Sequence, residues 1–247
     1  MFKLCLNMDK KLKHRMDIKE HYTSLKDVSN GIMEQSLDED NLIKIAKSHN
    51  ILFEYGVWLE ILKDKPEYNI LKTASKELQI SIMTLNFGFY SKSFSGLRFF
   101  LERSLVAILF STQEIELKLW EKGERDTYWA EIIDENKGIF SHRFSNAFFP
   151  DLKDEIKHFR SLTQKVYREC SEFVHGNNSA IQSLPESLEY NKVLFDNWHN
   201  KANSIGRIIL FALNLRYLKH IKEEDFKKLE SINIDNFNSI KQIQELY

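Results

Sequence analysis

Ser93-Phe94-Ser95-Gly96-Leu97-Arg98-Phe99-Phe100-Leu101-Glu102-Arg103-Ser104-Leu105-Val106-Ala107-Ile108-Leu109-Phe110 is the stretch on which the fold reading turns. Its apolar residues recur at spacings of three and four. The set Leu97, Phe100, Leu101, Ser104, Leu105, Ile108 and Leu109 forms the broad stripe of a helix packed on several sides. The spacing predicts a helix from Gly96 to about Lys122, capped by Ser93 or Ser95 and stopped by Gly123.

The same period extends outward in both directions. A first helix is expected from about Asp9 to Gln35. A second, led by Asp38, Glu39 and Asp40, should end near Lys63 and turn Leu42, Ile45, Ala46, Phe53, Trp58, Leu59 and Leu62 inward. Pro66 suits the first turn of a third helix running toward Phe89. Residues 126–149 read as one or two short helices rich in phenylalanine. Asp151 is expected to cap a helix that reaches His175, followed by a loop through Pro185. A long helix from Glu186 or Asn191 to His220 and a shorter one after Glu223 complete the chain. Eight glycines and three prolines in 247 residues are too few for an all-β sandwich. The expectation is therefore an all-α, multi-helix bundle of about seven to nine helices. It would form a single helical domain over 1–247, with 1–36 a peripheral N-terminal helix, 37–222 the bundle core and 223–247 a C-terminal helix.

A formal net charge of −1 argues against a dedicated, non-specific nucleic-acid binder, although Lys10 to Arg15 is locally basic and would contact DNA by charge alone. Two cysteines, Cys5 and Cys170, give neither a disulfide framework nor zinc spacing. No apolar run approaches the length of a membrane span, and residues 1–6 are too short for a secretory leader. A cytoplasmic protein that needs no membrane, cofactor or metal is the expectation. His14, His21, His49, His158, His199 and His220 lack metal-ligand spacing, and no phosphate-binding glycine loop is present.

Chemistry concentrates in Tyr167-Arg168-Glu169-Cys170-Ser171-Glu172-Phe173-Val174-His175-Gly176. Seven residues at ~100° place Arg168 and His175 on one helix face, ~10 Å apart along the axis. Arginine offers a rigid fork for phosphate oxygens, and a histidine can exchange a proton at cellular pH. Ser171 is expected to complete a polar stripe between them. Glu102, on the neighbouring helix, is spaced to pair with Arg98 at i,i+4, or would instead brace Arg168 or His175. A purely architectural account also fits: Arg168 is spaced to pair with Glu172, and His175 could bond the helix-end carbonyls ahead of Gly176. Ser141-His142-Arg143, set among phenylalanines, is a weaker candidate for nucleic-acid contact.

The Arg168-to-His175 spacing resembles the Arg-x(4–6)-His motif of the HEPN superfamily of helical bundles. The block from Gly96 through Glu102 to Ser171-Glu172-Phe173-Val174-His175-Gly176 is also similar to bacterial helical proteins with a Ser-Glu-Phe-Val-His-Gly-like motif. The resemblance implies a metal-independent endoribonuclease, an effector of prokaryotic antiviral defence or a toxin system. Arg168 and His175 would be catalytic, and a homodimer would build one composite RNA-cleaving cleft. Glu169 departs from the pattern, because active members often carry Asn, His or Asp after the arginine. The alternative reading is a non-enzymatic helical subunit that binds a partner protein in a multi-component assembly, favoured by the high aromatic content.

Overall fold

The computed structural model describes residues 18–247, and among these every regular element is helical. In chain order the α-helices are α1 (Ile18–Ser36), α2 (Glu39–Ile61), α3 (Tyr68–Asn86), α4 (Tyr90–Phe110), α5 (Glu114–Glu121), α6 (Trp129–Ile132), α7 (His142–Phe148) and α8 (Ile156–His175). They continue as α9 (Asn178–Ser183), α10 (Lys192–Tyr217), α11 (Glu223–Lys228), α12 (Glu230–Phe237) and α13 (Lys241–Gln244). Single 3-10 turns lie at Pro150–Leu152 and Leu218–His220. Nine of these helices have seven or more residues, which is the all-α multi-helix bundle that the periodicity predicts. None of the described helices is long and apolar enough to cross a membrane. The basic run Lys10 to Arg15 and most of the expected first helix's N-terminal half lie outside the described residues.

Two helices form the centre. α10 buries Phe195, Trp198, Ile205, Ile209, Phe211 and Leu213 on nearly every side, and α4 buries Phe94, Phe100, Leu105 and Ile108 in the same way. Asn191 starts α10 by accepting the Leu194 N–H at 3.0 Å, a side-chain cap visible in the sequence. Gly96 lets α3 and α4 touch backbone to backbone: a Cβ there would lie 2.7 Å from Ser81 Cβ. Ser81 also joins three helices, donating to the Ser93 carbonyl at 2.5 Å and accepting the Trp198 indole N–H at 3.1 Å.

The central helix differs from expectation at both ends. It begins at Tyr90, after a left-handed Gly88 (φ 79°), so Ser93 and Ser95 lie inside it. Their hydroxyls donate to the carbonyls of Tyr90 and Ser91 and do not cap. It ends at Phe110, short of Lys122. Ser111 and Thr112 donate back to the Ile108 and Leu109 carbonyls, and Arg216 of α10 donates to both Ser111 Oγ (2.8 Å) and Ser111 O (3.2 Å). Those bonds satisfy the helix-end acceptors and let the chain turn.

Asp151 likewise does not cap the next helix. It sits in the 3-10 turn and pairs with Lys219 at 2.7 Å, and α8 starts at Ile156. The expected loop after Gly176 contains α9, and three short helices replace the single one expected after Glu223.

α2 is turned relative to its apolar pattern. Trp58 and Leu62 are buried, but Leu42, Ala46 and Phe53 face outward while Asn41, Ser48 and Glu54 face the bundle. Each inward polar group has a partner from the last third of the chain. Asn41 donates to the Tyr190 hydroxyl (3.0 Å), Ser48 shares a 2.7 Å hydrogen bond with His199 Nδ1, and Glu54 accepts from Asn236 (2.9 Å). Buried polar groups cost free energy unless bonded, so these pairs set the helix's rotation.

Candidate functional site

α8 is a strongly two-sided helix. Ile156, Phe159, Thr163, Val166 and Cys170 recur at three and four residues and enter the core. Phe159 stacks on Phe211 with ring centroids 3.6 Å apart, and Phe173 stacks on Phe94 at 4.1 Å. Arg168 falls about 200° from both Val166 and Cys170, on the opposite side. The outer face therefore carries Gln164, Lys165, Arg168 and His175, all exposed. The helix stops at Gly176 in the left-handed conformation (φ 65°, ψ 40°), whose N–H, like that of Asn177, bonds the Glu172 carbonyl.

Arg168 and His175 thus share one face of one helix. Neither makes a hydrogen bond, ion pair or ring contact with any described residue: the 168/172 spacing is not used as an ion pair, and His175 does not bond the helix-end carbonyls. Glu169 is drawn away from that face into an ion pair with Lys201 of α10. The carboxylate that would oppose a phosphate beside Arg168 is neutralised there.

The two supporting residues stand elsewhere. Ser171 is nearly buried, and its hydroxyl donates to its own helix at the Tyr167 carbonyl (2.7 Å), so no polar stripe forms through it. Glu102 does not brace Arg168 or His175. Its carboxylate lies 3.7 Å from Arg98 Nε, one turn away on α4. Arg98 in turn donates to the Tyr167 hydroxyl at 2.7 Å and lies over the Tyr167 ring, whose other contact is Trp129, stacked at 3.5 Å. Burial, then the Glu102 carboxylate, pushes the Tyr167 hydroxyl up, so it stays a neutral acceptor for Arg98. Glu102, Arg98, Tyr167 and Trp129 form a pinned joint between α4, α6 and α8. It holds α8 in place behind the Arg168–His175 face.

Cys170 is fully buried, and desolvation pushes its thiol up to about 12, which removes it as a nucleophile. Around Ser141, Phe144 and Phe149 are buried and Ser141 caps α7 by accepting the Phe144 N–H at 3.1 Å. His142 and Arg143 are exposed, whereas Phe140, Phe144 and Phe149 lie in the core and Phe148 is half-buried, so most of the aromatic half of that candidate contact is turned inward. No group of three or more His, Cys, Asp or Glu among the described residues is arranged to hold a metal ion.

One polar feature that periodicity could have signalled is Glu54. It falls on the buried stripe Ile51, Tyr55, Trp58 of α2, where a carboxylate is out of place. No protein-family model, curated protein or solved structure matches the chain.

Proposed function

We propose that the outer face of α8 is a metal-independent RNA-cleaving surface, HEPN-like in its chemistry, in which Arg168 holds the scissile phosphate and His175 moves the proton. The observation that carries the reading is that both side chains are exposed on one face and uncommitted to any described residue. Arg168 would donate to the non-bridging oxygens. His175 would take the 2′-hydroxyl proton as that oxygen attacks phosphorus, or protonate the departing 5′-oxygen. The reading includes a second copy of the chain that completes the cleft. A role in antiviral defence or as a toxin belongs to the same proposal.

Single-stranded RNAs incubated with the purified chain in a chelator should yield fragments ending in a cyclic phosphate. The Arg168→Ala/His175→Ala variant should lose about 100-fold or more of that activity. A folded double variant that cleaves as wild type refutes the assignment.

A second reading, a non-enzymatic subunit that docks on a partner protein, draws on α2. Ile43 and Phe53 are 71% and 66% exposed, and Leu42 and Val28 are also exposed nearby in sequence. A wild type that cleaves no RNA but forms a stable complex, which the Ile43→Ser/Phe53→Ser variant abolishes, would favour it.

A further inference from the structure

Residues 18–50 are attached to the bundle by little apolar surface. Their buried side chains are Ile32, Ser36, Asn41 and Ser48, and of these Ile32 alone is apolar. Ile32 fills space left by Gly88, where a Cβ would lie 3.0 Å from Ile32 Cδ1. Ile45 is half-buried against the core, whereas Leu42 and Ile43 are exposed. From residue 51 the same helix changes character, and Ile51, Tyr55 and Trp58 are all buried. α2 is therefore anchored by its second half, and its first half is held by polar contacts.

Those contacts lead to one short stretch, residues 190–199. Asn41 donates to the Tyr190 hydroxyl at 3.0 Å, Lys44 pairs with Asp196 at 2.5 Å, and Ser48 shares a 2.7 Å hydrogen bond with His199 Nδ1. A segment with so few buried apolar contacts opens at a lower free energy than the core it leans on.

The Ser48–His199 contact responds to mild acid. His199 Nε2 is buried without a partner, so the closed segment satisfies one ring nitrogen only. An imidazolium donates from both nitrogens, and opening supplies water to each. The charged groups that act on the ring are Asp196 on its own helix and Lys44 from α2. Lys192 shares the Asp196 carboxylate at 3.6 Å, and the Tyr190 ring lies against Phe195 beside the histidine. Burial pushes the Tyr190 hydroxyl up and the bond to Asp196 raises Lys44, so neither changes charge in mild acid. Burial lowers the His199 pKa from 6.5 to about 4, so the closed segment refuses a proton that the open one binds. The imbalance grows as pH falls between those two values.

We propose that residues 18–50 form an arm that opens while the rest of the bundle stays folded, and that Ser48–His199 is its acid-released latch. The latch lies between α2 and α10 and does not depend on the function assigned to α8.

The test is hydrogen-exchange mass spectrometry of the full chain at about pH 7 and about pH 5, with each amide's protection taken relative to its intrinsic rate. Amides of residues 43–50 should be at least about tenfold less protected than those of central α4 at both pH values. Their protection should fall roughly twentyfold from about pH 7 to about pH 5, the ratio set by a histidine at 6.5 when open and about 4 when closed. In His199→Asn that fall should shrink to about twofold or less. Ser48→Ala changes only the arm's side of the latch and keeps the test open if His199→Asn fails to fold. It should lower the protection of residues 43–50 about fivefold at about pH 7, the effect of losing one buried hydrogen bond. Arm amides as well protected as those of α4 overturn the proposal, as does arm protection that stays constant with pH. So does a fall with pH that survives in folded His199→Asn, or arm protection unchanged in Ser48→Ala.

Discussion

Acidification should destabilise the protein through one residue, His199. Its ring is 2% exposed, packed edge-on against Phe195 and Trp198, with Nδ1 bonded to Ser48 and Nε2 buried without a partner. An imidazolium has two N–H groups to satisfy, and only one partner is present. Burial lowers its pKa from 6.5 to about 4; Asp196 opposes the shift, and Lys44, paired with Asp196 at 2.5 Å, reduces that opposition.

The sign follows directly. Between pH 6.5 and about 4 the unfolded chain binds a proton that the folded chain refuses, so stability falls as pH falls, and the loss levels off below about 4. At ~1.4 kcal/mol per pH unit the full loss is about 3 kcal/mol, a large share of the ~5–15 kcal/mol of a typical domain. Urea unfolding followed by tryptophan fluorescence, from about pH 7 to about pH 4.5, measures it against His199→Asn. Asparagine keeps a polar atom near Ser48 and cannot titrate. Glu54, whose carboxyl is raised by burial, acts with the opposite sign, but it is present in both proteins and cancels in their difference. The wild type should lose up to about 3 kcal/mol more than the variant over this range. A wild type minus variant difference that stays flat with pH refutes the reasoning.

Other perturbations probe separate parts of the structure. Gly96→Ala gains ~1 kcal/mol of helix propensity but forces a Cβ against Ser81, an overpacking cost of ~1–3 kcal/mol. Tm should fall by a few degrees; a rise in Tm would contradict the close contact. Gly176→Ala places an L side chain at φ 65°. It should cost ~1–2 kcal/mol and speed amide exchange at 176–177, seen by hydrogen-exchange mass spectrometry. In a Cys5→Ser background, Cys170 should react with a disulfide reagent only after denaturation; prompt native labelling would contradict its burial.

Helix positions were legible wherever local chemistry decided them. Asn191 before an apolar run and Gly176 after one fixed ends of α10 and α8, because a cap bonds residues two to four positions away. The end of α4 was not legible, since it depends on Arg216, more than 100 residues downstream. The rotation of α2 was hidden for the same reason: Asn41, Ser48 and Glu54 turn inward only because Tyr190, His199 and Asn236 meet them. At α8 the shared face of Arg168 and His175 follows from spacing alone. Glu102's true partner, Arg98, was equally readable as an i,i+4 pair, whereas the removal of Glu169 by Lys201 requires knowing that α8 and α10 touch.

The long-range polar pairs also carry a consequence for synthesis. Asn41–Tyr190, Lys44–Asp196, Ser48–His199 and the buried Glu67–Tyr217 pair each span about 150 residues, with separations of 149 to 152. At ~5–20 residues per second, a ribosome takes roughly 8–30 s to make that length. During that interval α2 and the start of α3 have emerged without the groups that satisfy them. The nascent N-terminal half thus waits, half-dressed in unsatisfied polar groups and outward-facing apolar ones, for helix α10 to arrive.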